Sequence, residues 1–261
     1  MQERALVTGA GQRLGRAMAL AIGRRGHDVA VHYAGSAEAA EEVVQEIRAM
    51  GRQAVAVQAD LLIEAESAAL VGRAAEALGG PLSLLVNNAS IFEPDTLETA
   101  TRESWDRHIE SNLRAPFVLT QAFAAQAPAP GRDAAGEPVA RALVVNMIDQ
   151  RVRKPSPDFM SYTIAKMGLW ALTRTAAQGL APCVRVNAIG PGPTLRSQHQ
   201  SETQFARQRA STILGRGASP EEITATLGYF LDAPGVTGQL ICVDGGQHLA
   251  WQTADNIGLE A

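Results

Sequence analysis

Short runs of consecutive apolar residues punctuate this chain at positions 4–8, 28–32, 54–58, 82–87, 142–147, 184–187 and 240–243. A run with no polar alternation has no wet face, which is how a strand reads when a parallel sheet buries it on both sides. Between the runs, apolar residues recur at helical spacing, as in 37–50 and 64–78. Longer helical stretches cover 103–126 and 159–179. The alternation predicts an α/β fold, a doubly wound parallel sheet of about seven strands flanked by helices, with one domain over residues 1–261. Right-handed crossovers put the carboxyl ends of the strands along one edge, where ligands bind.

Two segments interrupt the alternation. Residues 128–138 are rich in Pro, Gly and charge and read as a surface loop. Residues 191–211 open on Pro191-Gly192-Pro193 and continue polar through His199, Gln200, Gln204 and Gln208. They follow the sixth strand, which makes them a candidate substrate lid, or else an ordinary surface helix with its entry loop. The tail, 247–261, carries His248 and Trp251 and either covers its own core or reaches a neighbouring subunit.

Composition narrows the function classes. The 261 residues are 46% hydrophobic, enough for a large core. A net charge of −4 and a pI near 5.8 leave no basic footprint for nucleic acid. No apolar run approaches the roughly 18 residues that span a bilayer. The start, Met1-Gln2-Glu3-Arg4, leads into a strand-like run and does not resemble a secretory signal. Two cysteines, Cys183 and Cys242, are too few for a disulfide framework or a zinc site. A cytoplasmic protein without a bound metal is expected.

The first strand ends in Thr8-Gly9, followed by Ala10-Gly11-Gln12-Arg13-Leu14-Gly15. Glycines at a strand-to-helix turn let the backbone approach a pyrophosphate, and the helix start supplies N–H groups. Arg13 stands where a glycine is common. It points into the phosphate cleft or lies solvated on the surface. The second strand ends at His32-Tyr33-Ala34-Gly35-Ser36, without the acid that would bind a ribose 2′-hydroxyl. Ser36 can cap the next helix, bind a 2′-phosphate, or do both, and His32 and Arg13 can add positive potential. NADP(H) is therefore the expected cofactor. Asp60, beside Leu61, accepts from an adenine amino group or caps the next helix. Asn87-Asn88-Ala89 ends the fourth strand, where Asn88 and Ala89 can hold the cofactor ribose. Asn112 sits inside a helical stretch that asparagine disfavours, which suggests a functional reason.

Tyr162 and Lys166 are four residues apart, on one face of a helix. An ammonium beside a phenol favours the phenolate and lowers its pKa from about 10, so Tyr162 is expected to donate a proton near neutral pH. Asp149 lies thirteen residues upstream.

These pieces, with Pro191-Gly192 and Val243-Asp244-Gly245-Gly246, resemble the short-chain dehydrogenase/reductase family over the whole chain. The resemblance implies a Rossmann fold, a nicotinamide cofactor and a homotetramer, or a dimer, joined through the helices at 103–126 and 159–179. Three departures look like pteridine reductases and the bacterial dihydromonapterin/dihydrofolate reductases. Arg13 replaces a glycine, Asp149 replaces the catalytic serine, and Phe92 follows Ser90 by two residues. Gly35 departs from that subgroup, which often carries an arginine there. Carried over, the resemblance makes Tyr162 the proton donor and Lys166 its helper on the nicotinamide ribose. Asp149 relays the proton, Phe92 stacks on a pterin ring, and Ser90 and Arg13 meet its polar edge. Asn112 joins the catalytic set, and Pro191, Gly192 and Thr194 contact the cofactor.

The chemistry agrees with the substitution. A ketone needs a hydroxyl to polarise its oxygen, whereas a reduced pterin takes hydride at carbon and a proton at nitrogen. A buried carboxyl group with a raised pKa can carry that proton, and an aromatic wall suits a flat heterocycle. The expected partner is a small pterin or folate-like substrate. If Asp149 is only a structural acceptor and Phe92 only loop packing, the chain is a carbonyl reductase for 3-oxoacyl, sugar or quinone substrates. A non-catalytic NADPH-binding regulatory protein is the other alternative.

Overall fold

The structure, a computed structural model, describes residues 2–251. In chain order its strands are β1 (Arg4–Val7), β2 (Asp28–Tyr33), β3 (Ala54–Gln58), β4 (Leu84–Asn87), β5 (Gly131–Arg132), β6 (Pro138–Val139), β7 (Ala142–Met147), β8 (Val184–Pro191) and β9 (Leu240–Val243). Its α-helices are α1 (Arg13–Arg24), α2 (Ala37–Ala49), α3 (Glu64–Ala77), α4 (Arg102–Ile109), α5 (Ala115–Gln126), α6 (Met160–Leu180), α7 (Glu202–Ala210) and α8 (Pro220–Asp232). Seven strands make one parallel sheet in the order β3-β2-β1-β4-β7-β8-β9. The winding reverses between β1 and β4, and the strand ends splay there into a crevice.

Residue alternation explains why consecutive apolar residues were needed. In β1, Ala5 and Val7 pack toward α1, α2 and α8, with Met18, Ile22, Val43, Ile47 and Phe230. Leu6, between them, packs on the opposite side with Leu85 of β4 and with Leu70, Leu119 and Phe123 of the α3 and α5 layer. Val29, Ala30 and Val31 of β2 repeat the alternation. Each of the Val, Leu, Ile, Met and Phe side chains contributes about 1.5–3 kcal/mol by leaving water. Among the described residues no helix is long and apolar enough to cross a membrane.

Three expectations are corrected. The sixth strand runs on to Pro191 and does not stop at 187, because Ala188–Pro191 bond along β9 while Asn146 and Met147 pair on the other side. Residues 128–138 are not all loop: β5 and β6 form a small antiparallel ladder closed by Asp133, whose Oδ1 accepts from Ala135 and Glu137 N–H. The helix over 103–126 is interrupted by a π-turn at Glu110–Arg114. Pro116 has no N–H to give the carbonyl four residues back, at Asn112, and its ring would crowd that carbonyl, so the turn widens. Of the tail at 247–261, residues 252–261 lie outside the described residues. Gln247–Leu249 form a short 3-10 turn held by His248 to Asp244 (Nδ1–Oδ2 2.7 Å).

His32 ties the strand ends together. The Gly9 N–H donates to its Nδ1 (3.0 Å), so Nε2 carries the hydrogen and donates to the Ala59 carbonyl (3.1 Å). Burial lowers its pKa from 6.5 to about 4, so the ring is neutral and does not add the positive potential expected of it. The unfolded chain takes up this proton near pH 6.5 and the folded chain only near 4. The stability held above 6.5 is therefore lost as pH falls through that window, by up to about 3 kcal/mol. Urea unfolding at stepped pH should show that loss, and His32→Gln should flatten the part of it that exceeds the contributions of His27 and His108, which burial lowers too. An unchanged slope in the variant would mean that His32 is not the buried neutral group.

Candidate active site

The turn between β1 and α1 lies against the end of β4. Gly9 has φ +61, and a Cβ there would press on Ala89 at 3.1 Å. A Cβ on Gly15 would sit 2.1 Å from the Gly9 carbonyl oxygen, so α1 can start this close to the strand only with glycine at that place. Thr8 Oγ1 accepts from Asn88 N–H (2.9 Å) and Ala89 N–H (3.0 Å), and the Asn88 side-chain amide donates to the carbonyls of Thr8 and Gly9. The N-terminus of α1 has no side-chain cap and no acid in its first turn. Its N–H groups are arranged for an anion.

In front of this turn lies a cavity of about 600 Å³. Gly9, Arg13, Leu14, Gly15, His32, Tyr33, Ser36, Asp60, Leu61, Asn88, Ala89, Ser90, Gly192 and Thr194 all line it. Ser36 stands at the start of α2 but its side chain makes no cap, which leaves the hydroxyl to the cavity. Asp60 is not the N-cap of α3, which is Ile63; its Oδ1 accepts from Leu62 N–H (2.9 Å) in a local turn. Gly192 packs so tightly on Asp244 that a Cβ would lie 2.5 Å from its Cβ, and the Thr194 hydroxyl donates to the Gly192 carbonyl. The glycine cradle, the open helix start and the acid-free end of β2 fit a dinucleotide carrying a 2′-phosphate.

A second cavity of about 480 Å³ opens beside it and shares Arg13, Leu14, Asn88, Ser90, Gly192 and Leu195. Tyr162, Lys166, Asp149, Phe92 and Pro191 line it. The Tyr162 hydroxyl donates to Asp149 Oδ2 (3.0 Å), and the Arg151 N–H donates to Asp149 Oδ1 (2.8 Å). Lys166 is buried, and its Nζ donates to the Met147 carbonyl (2.8 Å) while lying 5.7 Å from the centre of the tyrosine ring. Burial raises the Asp149 pKa, as expected. Burial also holds the Tyr162 phenol well above its usual range, with the Asp149 charge pushing the same way. The expectation of a lowered phenol is thus corrected for the protein alone: burial and the Asp149 charge govern it, and burial lowers Lys166 itself to about 8.

Asn112 was expected among the catalytic groups, yet it lines neither cavity. Fully buried in the π-turn, it accepts from the Ile91 N–H (2.9 Å) and donates to the Ile91 carbonyl (2.8 Å). It pins the loop that carries Ser90 and Phe92. Phe92 is not a free face either: Phe159 stacks on it at 4.1 Å with 4° between planes, and Tyr162 meets it edge-on at 4.8 Å.

Sequence reasoning missed Arg151, Phe159, Ser197 and Phe205 among the lining residues, while His199, Gln200, Gln204 and Gln208 belong to the expected lid segment. Phe159 sits in a left-handed conformation at the start of α6 (φ +55), and Arg151 lies over its ring at 5.1 Å. A lone aromatic in the polar stretch before Tyr162 was the available signal. With its hydrogen on Nε2, His199 donates to the Phe92 carbonyl (3.2 Å). Ser197, Gln200, Gln204, Phe205 and Gln208 bring the 191–211 segment over the second cavity. Arg13 holds that segment, donating to the carbonyls of Arg196 (2.9 Å) and Leu195 (3.2 Å) from a backbone at φ +53. It therefore bonds the segment across both cavities and is neither a loose surface side chain nor free in the cleft.

The model of the short chain dehydrogenase family matches residues 3–207. A 3-oxoacyl-[acyl-carrier-protein] reductase of Staphylococcus aureus is 32% identical over 254 residues, covering 95% of this chain and 99% of its own. One from Synechocystis sp. is 34% identical over 247 residues, covering 93% and 95%. Among solved structures, FolM alternative dihydrofolate reductase 1 from Brucella suis, in complex with NADP, is 42% identical with a TM-score of 0.89, covering 97% of this chain and 98% of its own. A blue fluorescent protein from a metagenomic library, in complex with NADPH, is 28% identical with a TM-score of 0.84, covering 94% and 97%.

Loss of the Arg13 guanidinium should free the 191–211 segment. In Arg13→Ala, amide exchange at 195–200 is expected to quicken. Arg13→Gly should free the segment equally yet be more stable than the alanine variant by about 1 kcal/mol, because a non-glycine residue in the left-handed region costs about 1–2 kcal/mol. Exchange equal to wild type in both variants would show that the guanidinium does not hold the segment.

Proposed function

The chain belongs to the short-chain dehydrogenase family, and within it we propose an NADPH-dependent reductase of a pterin-like substrate, a dihydropterin or dihydrofolate. The observation that carries the reading is the Tyr162–Asp149 hydrogen bond inside the second cavity, beside the stacked wall of Phe92 and Phe159. The Brucella neighbour named as a dihydrofolate reductase supports it, and the NADP and NADPH of the solved neighbours support the cofactor.

NADPH, when bound, supplies the hydride. Gly9, Gly15 and the start of α1 hold its phosphates, Ser36 its 2′-phosphate, and Asp60 with Leu61 the adenine side. Asn88, Ala89, Lys166, Pro191, Gly192 and Thr194 hold the nicotinamide half. Tyr162 donates the proton to the substrate nitrogen through its hydroxyl. Asp149, whose pKa burial raises, replaces that proton along the hydrogen bond between them. The aromatic wall orients the flat ring, and Ser90 and Arg13 take its polar edge. The 191–211 segment acts as the lid and excludes water. Trp105 of α4 and Ile164 and Met167 of α6 expose apolar surface suited to a dimer or tetramer contact.

A second reading, an NADP(H)-dependent 3-oxoacyl reductase, is favoured by the near full-length match to the 3-oxoacyl reductases. NADPH absorbance with a panel of dihydrobiopterin, dihydromonapterin, dihydrofolate and acetoacetyl thioester separates the two. Turnover of the thioester alone would replace the pterin reading by the second. KM for NADPH should lie clearly below that for NADH; the reverse order would overturn the 2′-phosphate assignment.

Two variants examine the proton path. Tyr162→Phe should lower kcat by about a hundredfold or more, the usual worth of a positioned acid. Asp149→Ser should reduce pterin turnover far more than NADPH affinity; equal loss of both would make Asp149 structural. Because burial raises the Asp149 pKa, the acid form persists to higher pH than in an ordinary carboxylic acid, and kcat should fall as pH rises through that raised value. A kcat that climbs across the same range would exclude Asp149 as the proton source.

A further inference from the structure

Helix α6 carries Tyr162 in its first turn but has no cap of its own. Its N-cap position is Phe159, in a left-handed conformation without a capping side chain. The first N–H groups of the helix nevertheless find acceptors, and both come from one residue far away in the chain. The Asp95 carbonyl accepts from Met160 N–H (3.3 Å), and Asp95 Oδ1 accepts from Ser161 N–H (3.1 Å). Asp95 Oδ2 accepts from the Ser161 hydroxyl and lies 3.3 Å from the Ser104 hydroxyl. Asp95 is 4% exposed.

A second connection closes the circuit. His108, on α4 and fully buried, accepts from Glu93 N–H at Nε2 (3.1 Å). A neutral ring with an acceptor at Nε2 carries its hydrogen on Nδ1, which then donates to Ser161 Oγ (2.7 Å). Ser161 thus receives one hydrogen bond and passes one to Asp95. Residues 93–95 directly follow Phe92, and Ser161 directly precedes Tyr162.

We infer that Asp95 is a positioning residue: from the Phe92 loop it caps the helix of Tyr162 and so sets the spacing between the aromatic wall and the proton donor. The inference rests on the roles proposed above for Phe92 and Tyr162. An acceptor at a helix start satisfies N–H groups that have no partner within the helix, and a negative group there is favoured by the helix dipole. Elsewhere this chain caps helices locally, with Thr101, Ser201 and Ser219 each serving its own helix. Only at α6, among the capped α-helices described, does the cap come from a remote loop, and that loop is the one that lines the second cavity. A local cap would fix the helix start alone. A cap supplied from the loop fixes the loop to the helix as well.

The test uses Asp95→Ala, with Asp95→Asn, which keeps one acceptor and the side-chain volume, if the alanine variant does not fold. Amide exchange should quicken by about fivefold, the loss of one cap, in both 160–163 and 91–95, with 9–15 unchanged. Per NADPH-binding site, kcat with dihydrobiopterin should fall by about ten- to a hundredfold, the scale of a small misplacement of reacting groups, and KM should rise with it. A variant that is merely less stable loses binding sites but keeps kcat and KM in those that remain, and that result would overturn the inference. So would unchanged exchange at 160–163. If wild type reduces acetoacetyl thioester and no pterin, the functional reading fails while the same kinetic comparison on the thioester still judges Asp95. If it reduces neither, the exchange pattern alone decides.

Discussion

A buried phenol and a buried carboxyl group share one hydrogen bond at the wall of the second cavity, and the surrounding structure answers to that pairing. Water would solvate both as anions; protein does not, so both acids are held toward their protonated forms and the nearby Lys166 toward its neutral one. Two protonatable groups in contact can hand on a proton only if neither strays. The 3.0 Å separation of Tyr162 and Asp149 joins the start of α6 to the segment after β7, two elements with no local reason to meet. What keeps them in register is the layer behind them.

That layer is polar and almost fully satisfied. Asn87 at the end of β4 donates to Asn146 of β7, which donates to Thr173 of α6 (2.8 and 2.9 Å). Lys166 fastens the same helix to the Met147 carbonyl. Asn112 fixes Ile91 by both its backbone groups, and Asp95 with His108 secures the next residues of that loop to the helix start. Asn87 Oδ1 is left without a partner, but the other links make the network rigid and specific, because each alternative arrangement strands a further donor or acceptor. On the cofactor side, His32 performs the same task for the glycine turn as a neutral ring.

Much of this was legible along the chain. The seven strands of the sheet, the glycine turn, the acid-free end of β2 and the pairing of Tyr162 with Lys166 follow from local pattern, because pleat, helix pitch and turn sterics are local physics. Asp149 and Phe92 could be recognised as unusual, and both line the second cavity. The extension of β8 to Pro191 was not visible, since a Gly-Pro pair reads as a stop unless strands on both sides continue the ladder. The π-turn at Asn112 had a signal, Pro116 four residues on, that helical periodicity concealed.

By itself the sequence determined the order of strands and helices, the place of the phosphate turn and which side chains carry acid, base and aromatic character, because each of these depends on neighbours a few residues away. Only the tertiary structure decided what those side chains do to one another. It turned His32 from a cation into a neutral tie, raised the Tyr162 phenol through burial and the Asp149 charge, drew Arg13 to the carbonyls of the 191–211 segment, and brought Asp95 to the start of α6. The reason is common to all four: desolvation and hydrogen-bond partners come from groups far apart in the chain, and an ionisable or polar side chain takes its character from them.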